Sequence, residues 1–171
     1  MSVTESTVHI ENGWALYAHP FFVLRLEELT ADIERAAISD PEGFHHHPAY
    51  KLFDAVTGNV LRTVPANPAH PCYRQGKTLG REFLHWFRVK KQGLLPRYRL
   101  FFQFRSEAPK TIIYAWLNDE RTLRKAGDKN DVYAVFTAML KGGKMPNSFA
   151  ELIAVCEGLH LDDAATGTEE E

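Results

Sequence analysis

Apolar residues recur along this chain in two rhythms, and the switches between them mark out its elements. Residues 12–19, "NGWALYAH", form a short aromatic and aliphatic run closed by Pro20, which predicts an opening strand. From 21 to 37, Phe22, Leu26, Leu29, Ile33 and Ala36 return at steps of three and four, the stripe of an amphipathic helix. "SDPEGFHHHPAY" reads as a turn. Pro48 then opens a second helix with Leu52, Val56, Val60 and Val64 on one face, stopped at Pro65. The proline- and glycine-rich stretch 65–80 reads as a loop. Strand-like runs follow at 83–91, 97–104 and 111–117, the first two joined by "QGLLP" in an antiparallel connection. Val132, Val135, Phe136, Met139 and Leu140 predict a further helix ended by Gly142 and Gly143, and "SFAE" at 148–151 is a capping box that opens a last one. The order predicts an α+β fold: an antiparallel sheet packed on two N-terminal helices, with additional C-terminal helices.

Composition narrows the class. With 171 residues, 44% of them hydrophobic, the chain supports one core, expected over residues 1–161. The last ten residues hold five acids and no base, a composition that predicts a disordered tail over 162–171. No apolar run is long enough to span a bilayer and the opening residues lack the plan of a secretory signal, so a cytoplasmic location is expected. Cys72 and Cys156 match no metal-ligand spacing and are expected to be reduced thiols. The adjacent His45, His46 and His47 cannot all face one ion on a regular element and read as a surface turn.

Charge changes the picture more. The formal net charge is −2, yet residues 74–105 carry nine Lys and Arg against Glu82 alone. A concentration of that kind repels itself unless a polyanion or an acidic partner compensates it. Side chains alternate along a strand, so Arg88 and Lys90 share one face of their strand, and so do Arg97 and Arg99 of theirs. If the apolar sets pack on the helices, the four cations meet on the open face of the sheet. Arginine forks hold two phosphate oxygens at once, and cleavage of RNA by its own 2′-hydroxyl needs such cations together with a proton acceptor and a proton donor. Lys90 is a candidate proton carrier, and Trp86 and Phe101 are placed to stack on unpaired bases. Composition alone reaches a polyanion binder.

The blocks "NGWALYAHPFF", "GKTLGREFLHWFRVK", "RYRLFFQF" and "AWLNDERTLRKAGDKNDVYAVFTAML" resemble the YhaV toxins of the RelE/ParE superfamily, in order and spacing, from about Asn12 to about Leu159. The resemblance implies a RelE/ParE-like fold and a metal-independent endoribonuclease, an mRNA interferase that works on messenger RNA at the ribosome. It also implies silencing by a PrlF-like antitoxin, in a complex that allows a homo-oligomer of the toxin. By position, it assigns catalytic roles to Arg88 and Lys90 in "FRVK", to Arg99 in "YRLFF" with Arg97 as an added cation, and to Arg124 and Tyr133 further on. Lys129 and Asp131 would position Tyr133, and Lys77, Trp86, Lys91 and Lys129 would contact RNA. No metal or cofactor is implied. Against this stand a ParE-like toxin acting on gyrase and a non-catalytic RNA- or ribosome-binding regulator. Tyr133 also reads as a core-rim residue, and Asp131 as a helix cap.

Overall fold

A computed structural model describes residues 8–161; the acidic stretch 162–171 lies outside the described residues. Asn12 and Gly13, with φ of 50° and 83°, form a two-residue turn joining β1 (Ile10–Glu11) to β2 (Trp14–Ala18). Paired positive φ values are what the twist of a tight hairpin demands, and Asn-Gly meets them at least cost. Next comes α1 (Pro20–Ser39), capped by the His19 ring, whose Nδ1 accepts the Phe21 amide at 3.0 Å. α2 (Pro48–Gly58) starts at Pro48 as the sequence predicts, with His47 as its cap. It runs on through a π turn (Asn59–Thr63) into a last turn, α3 (Val64–Ala66). Within the π turn, Asn59 Nδ2 donates to the carbonyls of Ala55 and Gln92, tying the helix to the loop after β3 (Phe87–Val89).

The remaining elements are β4 (Leu100–Arg105), β5 (Thr111–Leu117), α4 (Val132–Lys141), α5 (Phe149–Val155) and β6 (Glu157–Gly158). β3, β4 and β5 pair antiparallel, as expected. The sheet as a whole is mixed, because β2 enters parallel to β5, in the order β1-β2-β5-β4-β3, with β6 also on β2. α1 lies between β2 and the meander and returns the chain so that its opening strand aligns with the last strand of the meander.

The sheet is covered on both faces. α1 and α2 supply Phe22, Leu26, Leu29, Leu52 and Val56 to one core, together with Leu16, Leu100, Phe102, Ile112 and Tyr114. α4 and α5 supply Val132, Phe136, Leu140 and Leu152 to a second, with Phe101, Ile113, Ala115 and Trp116. A register shift opposite Phe101 and Phe102 lets Ala115 and Trp116 share the second face, and Phe101, Trp116 and Phe136 stack there nearly parallel. The expected open cation face is therefore closed by helices. No helix among the described residues is long and apolar enough to cross a membrane.

Candidate active site

The basic stretch forms less strand than its alternation predicts. Arg81–Phe83 is a 3-10 turn, and the strand keeps only Phe87–Val89. Gln75 explains the change. It is buried, donates to the Phe83 carbonyl and accepts from the Leu79 amide and the Thr78 hydroxyl, holding 75–83 as a compact loop. Trp86 follows and is fully buried against Phe136, with its Nε1 donating to Asn147 Oδ1 at 3.0 Å. It cannot stack on a base, and neither can the fully buried Phe101.

Arg88 and Arg99 do come together, inside the protein and not on a surface. β3 and β4 place Arg88 opposite Phe101, and Arg99 immediately precedes β4. Both side chains turn toward the start of α4, where Arg88 Nε donates to Tyr133 Oη at 2.9 Å and Arg99 Nε donates to the same oxygen at 3.0 Å. The Cys72 carbonyl accepts from Arg88 Nη1 and the Tyr98 carbonyl from Arg99 Nη1. No carboxylate pairs with either guanidinium among the described residues, although the two residues are only 9% and 6% exposed. Their outer amino groups, Nη2, hold no hydrogen bond to a described residue. Buried charge without a counterion is costly, and two like charges converging on one oxygen compound that cost. Such a centre is built for an anion.

Tyr133 is presented by the cap of α4. Asp131 Oδ2 accepts the Tyr133 amide at 3.1 Å, and Asp131 Oδ1 accepts from Arg124 Nη1 at 2.8 Å and from the Lys125 amide at 2.6 Å. Burial works to raise the Asp131 pKa, but these bonds and the Arg124 charge prevail and hold it below the usual aspartate value. The residue is thus both the cap and the anchor of Arg124, whose guanidinium lies 5.0 Å from the centroid of the Tyr133 ring. Beside this group opens a cavity of about 450 Å3, with Thr78, Arg124, Asp128 and Tyr133 on its walls.

Asn118, just past β5, was not singled out by any motif. It is fully buried; its Oδ1 accepts the Arg99 amide at 2.8 Å and its Nδ2 donates to the carbonyls of Arg97 and Thr122. From the other side of the sheet, Arg25 Nε donates to the Asn118 carbonyl. Arg97 is exposed, at φ 73°, in the turn ahead of β4, so it does not alternate with Arg99 along a strand. It makes two bonds with the other cation loop instead, one backbone and one from its side chain: Arg124 N donates to its carbonyl and its Nε donates to the Arg124 carbonyl. Lys90 lies just past β3, exposed, and does not join the buried group; Lys91 follows it in the same turn. Lys77 and Lys129 are exposed neighbours of Thr78 and Asp128 at the cavity. No cluster of three or more His, Cys, Asp and Glu among the described residues is arranged to hold a metal ion.

An unpaired cationic centre, a hydroxyl and an adjoining cavity thus stand together at the start of α4. The family model for a toxin with endonuclease activity, of a toxin–antitoxin system, matches residues 16–157, and this chain belongs to that YhaV toxin family. It is 43% identical over 150 residues to the ribonuclease toxin YhaV of Escherichia coli K12, a match covering 87% of this chain and 96% of that relative. Identity and coverage are the same for Toxin YhaV of Escherichia coli O157:H7. No solved structure matches the chain.

Proposed function

We propose that this chain is an endoribonuclease toxin that cuts messenger RNA without a metal, by attack of a 2′-hydroxyl on the adjacent phosphorus. The observation that carries the reading is the convergence of Arg88 and Arg99 on Tyr133 with no carboxylate to neutralise them. The name of the 43%-identical relative supports RNA as the substrate. In this scheme the non-bridging phosphate oxygens take the outer amino groups of Arg88 and Arg99, which stabilise the charge that builds on phosphorus. Both guanidiniums donate to the phenolic oxygen, which leaves the Tyr133 hydroxyl proton free to be given away; it goes to the departing 5′-oxygen. Lys90, exposed two residues beyond Arg88 and outside the buried group, takes the 2′-hydroxyl proton in this scheme. The products are a 2′,3′-cyclic phosphate and a 5′-hydroxyl. Arg97 holds the flanking backbone, Arg124 lines the cavity beside Tyr133, and Lys77, Lys91 and Lys129 steer the chain in from the exposed rim. Trp86 drops out of the RNA-contacting set because it is buried.

The reading extends to a RelE/ParE-like domain over residues 1–161, acting at the ribosome in the cytoplasm and silenced by a PrlF-like antitoxin. An apolar groove of about 370 Å3 where α1, α2 and the residues after α5 meet, rimmed by Glu27, Glu34 and Glu157, suits a basic amphipathic segment of that partner. The chain's own acidic end, like-charged with that rim, does not.

Incubation of the purified protein with a model RNA in EDTA tests the core of the proposal. Cleavage to cyclic-phosphate ends, lost in Arg99→Ala, is expected. Intact RNA together with inhibition of gyrase would move the chain to a ParE-like role, and tight RNA binding without cleavage would make it a regulator.

A further inference from the structure

The cavity beside Tyr133 has a wall chemistry that the phosphate centre does not use. Arg124 reaches it with its charge already matched by Asp131 at 2.8 Å, so it adds little net attraction for a phosphate. What it offers is a plane. The guanidinium carbon lies over the Tyr133 ring, 5.0 Å from its centroid, and the side chain stays a third exposed. A flat cation pinned at its edge and backed by a ring is a stacking platform for an unpaired base.

Three side chains beside that platform, Thr78, Thr137 and Asp128, offer acceptors. The one Thr78 hydroxyl proton is taken up by the Gln75 carbonyl or side-chain oxygen, each at 2.8 Å, and the Thr137 hydroxyl donates to the Tyr133 carbonyl at 2.7 Å, so each presents only lone pairs to the cavity. Asp131 is saturated by Arg124, Lys125 and Tyr133. Asp128 is not. Its Oδ1 takes the Asn130 amide at 2.8 Å, while Oδ2 is 3.7 Å from Lys125 Nζ, beyond hydrogen-bond length.

We propose that this cavity is a nucleobase subsite that selects guanine, with Arg124 stacked on the base and the Asp128 carboxylate accepting from its N1–H and 2-amino group. Guanine presents two adjacent donors on its pairing edge, whereas adenine and cytosine present one donor beside an acceptor, and uracil one donor between two carbonyls. Against the Asp128 carboxylate the other three bases would set lone pairs against lone pairs, and an unpaired polar group is what makes discrimination large. The subsite would hold the base next to the scissile phosphate, and this part rests on the ribonuclease reading.

Equilibrium binding of the four nucleoside 3′-monophosphates to the full chain tests it without requiring turnover. Guanosine 3′-phosphate is expected to bind on the order of 10-fold or more tightly than the other three. Asp128→Asn, which turns a donor toward the base, should erase that preference. Arg124→Lys, which keeps the charge and loses the plane, should weaken all four while preserving their order. Equal binding of the four nucleotides, or guanine preference intact in Asp128→Asn, would overturn the subsite. Cleavage of RNAs differing at one base then separates the two ideas. Guanine-selective binding with no cut RNA leaves the subsite standing and removes the ribonuclease; indiscriminate cutting with indiscriminate binding does the reverse.

Discussion

Arg88 and Arg99, carried by neighbouring segments of one antiparallel pair, end on a single oxygen, that of Tyr133. The geometry sets function against stability. Replacing a buried cation by an apolar side chain of similar length relieves unmet desolvation, so Arg99→Met should leave the melting temperature unchanged or raise it. Cleavage by the same variant should fall about 10²- to 10³-fold, as for loss of a preorganised charge at a transition state. Calorimetry beside an RNA cleavage assay reads both. A variant that loses activity only in proportion to lost folded protein would reduce Arg99 to a structural role.

Tyr133→Phe keeps the ring that packs edge-on against Phe101 and removes the atom on which the two guanidiniums meet. Its cleavage rate should drop about 10²- to 10⁴-fold, the usual range for losing a general acid. An RNA analogue with a good leaving group at the 5′-position should recover most of that loss. Failure to recover would move the proton-donating role elsewhere.

An anion should stabilise the cationic centre. Sulfate or phosphate at a hundred times its dissociation constant is expected to raise the unfolding free energy by about 2.7 kcal/mol. The gain should shrink in Arg88→Met and Arg99→Met and persist in Lys51→Met, on α2. Thermal shifts against anion concentration report it, and equal shifts in all variants would deny a localised site.

Asn118 ties Arg99 to Arg97 and to the loop leading to Arg124, so it acts as a positioning residue. Asn118→Asp keeps the acceptor for the Arg99 amide and loses both donors, and should lower kcat more than it raises KM. Asn118→Ala should lose stability as well, by roughly 1–3 kcal/mol, because it leaves buried backbone groups unpaired. An unchanged kcat in Asn118→Asp would show that the donors to Arg97 and Thr122 are dispensable.

The cap of α1 gives a pH dependence away from the site. Burial lowers the His19 pKa below its ordinary 6.5, and the neutral ring is the form whose Nδ1 accepts the Phe21 amide. The unfolded chain therefore binds this proton more readily than the folded one. The contribution of the cap is complete above pH 6.5 and is lost as the pH falls through the depressed folded value. His19→Asn, which caps without titrating there, should flatten the fall in denaturation midpoint across that interval.

Much of this architecture was legible because it depends on local chemistry. α1 and α4 follow their apolar stripes, and Pro48 and Ser148 begin their helices as their chemistry predicts. Arg88, Arg99 and Tyr133 were singled out as well, though the alternation argument placed the cations on an open face. That argument failed because Phe101 and Trp86, taken as rim aromatics, are core residues under α4. Strand periodicity says which residues share a face and nothing about what covers it. The parallel entry of β2 and the role of Asn118 were out of reach for another reason. Both rest on pairings across some ninety residues, Arg25 with Asn118 being 93 apart, and no local pattern encodes them.

α4 serves two masters: Tyr133 points from its first turn into the charged centre, and Phe136, one turn on, lies flat over Phe101 and Trp116. Selection for cells that survive the toxin should therefore recover lesions at Phe136 and its stacking neighbours as readily as at the arginines. A screen for harmless alleles would trace the aromatic stack as clearly as the chemistry it holds in place.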